Sequence, residues 1–164
     1  MSKRAIDEVA AHIDDSPKRF ANLVALFEGN GNRCAVKAAW VMIHVVENHP
    51  SLFDPHADHL LDRLAAEKVP DALRRNLTRC YQVAALPTKR LGLLAEICFK
   101  QLMSPKFPRA VRTFSFNVLN RIVAQVPELT TEFVLCLNEI AVQNDGHVSV
   151  LARHKLKEFQ DIQS

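Results

Sequence analysis

The segment Ala35–Trp40, AVKAAW, decides the fold because its pattern returns three more times along the chain. ALRRNL at Ala72–Leu77, AVRTFS at Ala110–Ser115 and VLARHKL at Val150–Leu156 share an apolar opening followed by a basic residue. Those basic residues, Lys37, Arg74, Arg112 and Arg153, stand 37, 38 and 41 positions apart. Self-similarity at such an interval marks a repeat protein, and two-helix repeats have periods of about 40 to 47 residues. One unit of that length cannot bury its own apolar face, so stability has to come from stacking on a neighbour.

Outward from these segments, breakers cut the chain into helix-sized pieces. DDSP (14–17), GNGN (29–32), NHPSLFDP (48–55), KVPD (68–71), LPT (86–88), SPKFP (104–108), VP (126–127) and NDG (144–146) are the interruptions. The spacing predicts a leading helix over 2–13 and helix pairs over 17–28/32–48, 55–67/70–84, 88–103/106–126 and 128–143/147–162. Pro50, Pro87 and Pro127 each follow the second helix of a pair, 37 and 40 residues apart, where a residue without a backbone N–H ends it. Asp54 reads as an N-cap with Pro55 at the first helical position, Ser104 as the residue capping before Pro105, and Asp71 as a first-turn acid after Pro70. GNGN reads as a glycine stop followed by an Asn cap; no strand precedes it and no G-x-x-x-x-G-K surrounds it, so it is not a phosphate loop.

Composition agrees with one soluble helical domain over 1–164. Hydrophobic residues make up 48% and charged residues 24%, which excludes a disordered chain. Glycines number four, and no Asn-Gly or Asp-Gly hairpin joins alternating apolar runs, so the fold is read as all-α. The longest apolar run, Ala38–Ile43, is far short of the roughly 20 residues of a membrane span. MSKRAIDEVAAH lacks the apolar core of a signal peptide, and a cytoplasmic protein is expected. Cys34, Cys80, Cys98 and Cys136 lie far apart and never form C-x-x-C, so all four are expected to be buried, reduced thiols.

The V-R/K-x-x-A/L pattern opening each second helix, after an apolar first helix, resembles the HEAT repeat, and the likeness covers nearly the whole chain. KAAWVMIHVVENHPSLFDPHADHLL (37–61) is similar to small bacterial HEAT-like proteins, some of which carry an adenylosuccinate lyase name. That superfamily is far longer and uses a mobile Ser-rich loop, and no stretch here resembles one. The resemblance implies a right-handed α-solenoid of about four helical hairpins plus an N-terminal helix, with second helices lining the concave side. HEAT repeats often place an Asp four residues before the arginine, so that successive repeats form an Asp–Arg ladder. Here Arg33, Pro70, Pro108 and Ser149 hold those positions, so a purely structural role is not expected for Lys37, Arg74 and Arg112.

Individual candidates divide into polar sites and charge. Trp40, the only Trp, sits three residues after Lys37, where other repeats place Leu77, Ser115 and Leu156, and reads as a core or groove-wall aromatic. His44 lies seven residues after Lys37 and Tyr81 seven after Arg74, so equal repeat positions put them on neighbouring helices as a pair. No carboxylate or nucleophile points to that pair, so acid–base catalysis is not its expected role. His56 and His59 share a helical face with Asp62 one turn on, and His49 is near in sequence. A zinc site needs three or four convergent ligands and two are reliable here, so neither metal nor another cofactor is expected.

Charge is the most informative pattern. The four second helices carry twelve basic residues against Glu47, Asp71, Glu158 and Asp161, a balance of +8 in a chain of +3, which leaves −5 for the remainder. A basic groove follows, facing a protein partner with an acidic or extended surface, and the residues expected to bind it are Lys37, Arg74, Arg75, Arg109, Arg112, His44 and Tyr81. The expected function is thus a non-enzymatic interaction scaffold. The alternative is nucleic-acid binding of the kind seen in HEAT-like alkylpurine DNA glycosylases, with Trp40 and Tyr81 as the available aromatics. A metal- or His-dependent enzyme would rest on the histidines alone. A last helix carrying Arg153, His154, Lys155 and Lys157 is polar enough to cap a stack, which predicts a monomer or weak dimer.

Overall fold

The computed structural model describes residues 2–28, 32–66, 68–143 and 146–163, and these form α-helices, short 3₁₀ turns and loops with no strand among them. The helices are α1 (Lys3–Ile13), α2 (Pro17–Glu28), α3 (Asn32–Asn48), α4 (Ala57–Ala65), α5 (Asp71–Val83), α6 (Leu91–Met103), α7 (Arg109–Gln125), α8 (Thr130–Val142) and α9 (Gly146–Gln163). The all-α class and the order of leading helix and hairpins are as the repeat spacing predicts. Two compact units divide the chain, Met1–Leu94 and Ala95–Ser164. None of the described helices is long and apolar enough to cross a membrane.

In the first unit α2 pairs with α3 and α4 with α5, while α3 also packs against both α1 and α5. A helix with three helical neighbours can be apolar around most of its circumference. This accounts for the run opening at Ala35: Ala35, Ala38, Ala39, Val41, Met42, Ile43, Val45 and Val46 are all buried. Phe20, Phe27 and Phe53 are completely enclosed, and each such ring stabilises the unit by about 1.5–3 kcal/mol over an exposed one. Tyr81 meets Phe53 edge-on at 5.1 Å, and its hydroxyl donates to the Ala57 carbonyl at 2.6 Å, joining α5 to α4.

The second unit holds α7, α8, α9 and the part of α6 from Ala95 onward, with α8 and α9 as a hairpin and α7 against both. Phe133 is its centre, with ring centroids of Phe99, Phe116 and Phe159 at 6.3, 5.9 and 6.3 Å. Two of its buried hydroxyls bond locally. The Ser115 hydroxyl lies 2.8 Å from Gln101 Oε1 and 2.9 Å from the Val111 carbonyl, and the Ser149 hydroxyl donates to the Ile140 carbonyl at 2.9 Å.

Departures from expectation concentrate at the helix starts. Asp54 does not cap α4; Asp54–His56 form a 3₁₀ turn, and the Asp54 carboxylate accepts from the Ala85 backbone N–H at 3.2 Å. Ser104 begins a turn, with its carbonyl accepting from the Phe107 N–H at 3.2 Å, and α7 starts only after Pro108. Pro70 and Pro108 are the N-cap residues of α5 and α7, and their carbonyls accept from the N–H groups of Arg74 and Arg112. The two repeat arginines thus sit one turn into their helices, in the same register. Cys34 is exposed, contrary to expectation, while Cys80, Cys98 and Cys136 are buried, and all four are free thiols. The glycine stop read at Gly29 lies outside the described residues; Asn32 opens α3.

Candidate functional site

Second helices supply all seven of the expected partner-facing residues, and burial sorts them. Lys37 on α3 and Arg109 at the start of α7 are exposed, and Arg74, Arg75 and His44 are half-buried. Tyr81 and Arg112 are not available to a partner: Tyr81 is 0% exposed and Arg112 3%. Both are corrections with the same cause. Each side chain is long enough to cross its hairpin and bond to a backbone carbonyl of the first helix.

For Arg112 that carbonyl is Leu102, which accepts from Nε at 2.8 Å. Arg153 repeats the arrangement, its Nη1 donating to the Ala141 carbonyl at 2.9 Å. Leu102 and Ala141 are each the penultimate residue of a first helix, α6 and α8. Carbonyls there have no intrahelical partner, and they form the negative end of the helix dipole, so a guanidinium is favoured twice over. Burial holds the Arg112 guanidinium below its ordinary pKa, opposed by the nearby Cys136. Burial does the same to Arg74, against the pull of Asp71.

His44 and Tyr81 do not form the expected pair. His44 Nδ1 lies 2.8 Å from the Trp40 carbonyl and Nε2 lies 4.0 Å from Asp7 on α1, whereas Tyr81 turns to α4. A carbonyl only accepts, so the proton of the neutral imidazole is on Nδ1.

Between α1, α3 and α5 lies a cavity of about 220 Å³. Ile6 and Ile43 give it apolar walls, and Trp40 lines it with the Arg75 guanidinium 5.9 Å from the ring centroid. Lys3, Asn76, Arg79 and His44 complete the lining, in which no residue is acidic. Arg79 forms an ion pair with Glu47, linking α5 to α3. A larger opening of about 490 Å³ between α1 and α3 shares His44 with this cavity and takes in Asp7, together with Asp14 and His49, which pair at 3.2 Å. Asp14 holds φ 50° and ψ −130° there, a strained backbone for a residue with a side chain.

The sequence model of the HEAT repeat domain matches residues 1–157. The chain belongs to the HEAT-repeat family. Its hairpins are those of an α-solenoid class fold, and HEAT repeats generally serve as protein-interaction scaffolds. Among curated proteins and among solved structures, none matches the chain.

The histidines singled out from the sequence of this HEAT-repeat chain go to separate partners. His59 meets Glu28 at 2.5 Å, Asp62 meets Arg90 at 2.6 Å, and the His56 ring lies 5.6 Å from that of Phe20. Burial, and then the charge of His59, lower the His56 pKa, with Glu28 opposing. Among the described residues no three His, Cys, Asp or Glu side chains converge as metal ligands. Asn76 and Lys3 were missed by the sequence reading. Asn76 had a legible signal, since it interrupts the apolar face Leu73, Leu77, Cys80 at helical spacing; Lys3 had none, because the docking of a leading helix is not written in its own residues.

Proposed function

We propose that this HEAT-repeat chain is a non-enzymatic interaction scaffold whose second helices offer basic residues to a protein partner with an acidic or extended surface. The observation that carries this reading is the cavity between α1, α3 and α5, lined by Lys3, His44, Arg75 and Arg79 and by no carboxylate. Lys37, exposed on α3, adds charge in the first unit, and Arg109, exposed on α7, supplies it in the second. Like-signed charge around a concavity raises the local concentration of the opposite sign, and helical layers suit extended segments. The nucleic-acid reading has less support. Of its two aromatics, Tyr81 is fully enclosed and Trp40 lies under Arg75, and a net charge of +3 is modest for phosphate-backbone binding.

The test is affinity capture and titration with the variant Lys37→Glu/Arg75→Glu/Arg109→Glu beside the parent chain. An acidic peptide should bind the parent and lose at least tenfold in affinity to the variant, with a modest salt dependence. Unchanged capture by the reversed variant sinks the proposal. Tight duplex DNA binding that collapses steeply with salt would transfer it to nucleic acid.

A further inference from the structure

We propose that the cavity between α1, α3 and α5 is a receptor for one carboxylate side chain, a glutamate or aspartate in an extended acidic segment of the partner, held by Asn76, Trp40, Lys3 and Arg75. This deepens the scaffold reading and rests on it.

Size sets the class of occupant. At about 220 Å³ the cavity falls below the roughly 300–1,000 Å³ of small-molecule sites. It suits a single side chain better than a cofactor. Ile6 and Ile43, each 2% exposed, give methylene groups an apolar surface.

Hydrogen-bonding capacity sets the chemistry. Asn76 is 3% exposed, and its amide Nδ2 is enclosed without an acceptor. The indole Nε1 of Trp40 is in the same condition. Buried donors without partners are rare in native proteins and destabilise them, and these two belong to the lining of one cavity. A carboxylate only accepts, and offers about four lone-pair positions. Both nitrogens are enclosed as they stand, so the receptor requires the Asn76 amide and the indole to turn toward an oxygen held in the cavity.

Charge sets the sign. Arg79 already faces Glu47, but neither Lys3 nor Arg75 meets a carboxylate among the described residues. Arg75 is held over the Trp40 ring, an arrangement that limits its freedom before any ligand arrives. One incoming carboxylate therefore supplies acceptors to two orphaned donors and a counter-charge to two cations.

The experiment is a titration of the full chain, observed in ¹⁵N–¹H spectra, with a synthetic peptide of alternating glutamate and glycine and with its glutamine counterpart. Trp40 is the only Trp, so its indole N–H is one assignable resonance. Saturable movement of the Trp40 indole and Asn76 amide signals with the glutamate peptide, and none with the glutamine peptide, is the expected result. Asn76→Leu should weaken binding at least tenfold while raising Tm, because an unsatisfied amide is removed; Lys3→Gln and Arg75→Gln should each weaken it several-fold at unchanged Tm. Should the glutamate peptide bind with both signals unmoved, or bind Asn76→Leu and Arg75→Gln as tightly as the parent, the receptor is lost and the scaffold reading survives. Free glutamate producing the same shifts at the same affinity as the peptide would overturn the partner side chain as occupant. Failure of both peptides to bind removes the receptor and the acidic partner together.

Discussion

The Nε of Arg112 donates to the carbonyl of Leu102 at 2.8 Å, fastening α7 to the last turn of α6. In the same unit Arg153 fastens α9 to the last turn of α8 through Ala141. In this unit the residue that marks the repeat in the sequence is therefore a clasp within the hairpin. It needs no acidic neighbour in the next repeat, which explains how the pattern persists here with Pro108 and Ser149 where an Asp–Arg ladder would place aspartate.

Replacing Arg112 by Met should cost about 2–3 kcal/mol, since a buried charged donor is lost and a carbonyl is left unpaired. Arg153→Met, at an exposed clasp, should cost under about 1 kcal/mol. Urea unfolding followed by circular dichroism separates the two. Equal losses at both positions would show that burial does not set the strength of the clasp.

Tyr81→Phe tests the second correction. The hydroxyl-to-Ala57 bond is buried and 2.6 Å long, so its removal should destabilise by about 1–2 kcal/mol. Because the ring faces Phe53 and the core, affinity for an acidic peptide should stay within about twofold of the parent. A large loss of affinity at unchanged stability would put Tyr81 back at the binding surface.

How much was legible follows from what each signal depends on. Apolar periodicity and breakers are local, so the leading helix and four hairpins could be read directly, as could prolines 50, 87 and 127 beyond the second helices. Caps are less legible: Asp54 and Ser104 have the right chemistry for N-caps, but the Asp54 carboxylate accepts from the distant Ala85 N–H and the Ser104 hydroxyl from the Lys106 N–H within its own turn. The direction of a long side chain was not legible at all. Arg112 and Arg109 are three residues apart in one helix, yet one crosses to Leu102 and the other is exposed, a choice made by the neighbouring helix. His44 and Tyr81 share a repeat position but face different neighbours, because α3 has α1 beside it.

The Arg79–Glu47 ion pair spans α5 and α3 at partly exposed positions. Its coupling energy in a double-mutant cycle with Arg79→Ala and Glu47→Ala should be about 0.5–1 kcal/mol, and should shrink as salt is raised toward 1 M. A coupling above about 2 kcal/mol, or one indifferent to salt, would mean that the pair is shielded from solvent. Glu47 also contributes to raising the Cys80 pKa, after the larger effect of burial, so its removal should slightly ease ionisation of that thiol.

Thiol ionisation gives the protein an alkaline limit whose sign is fixed by burial. Burial, with smaller contributions from Glu139 and Glu132 at Cys136, pushes Cys98 and Cys136 up to about 12 and raises Cys80 as well. In the unfolded chain each thiol ionises near its ordinary value of about 8.5. Above that pH the unfolded state binds fewer protons than the native one, so stability present below about pH 8.5 is lost as pH rises toward 12, at about 1.4 kcal/mol per pH unit per buried thiol. Urea midpoints measured at pH 8, 9 and 10 should fall accordingly, and Cys98→Ala should reduce the slope between pH 9 and 10 by about the contribution of one thiol. At pH 7.5 a thiol reagent should modify exposed Cys34 rapidly and the other three only on unfolding. Fast reaction of a second thiol in the folded protein, or a slope unchanged by Cys98→Ala, would contradict the burial from which both expectations come.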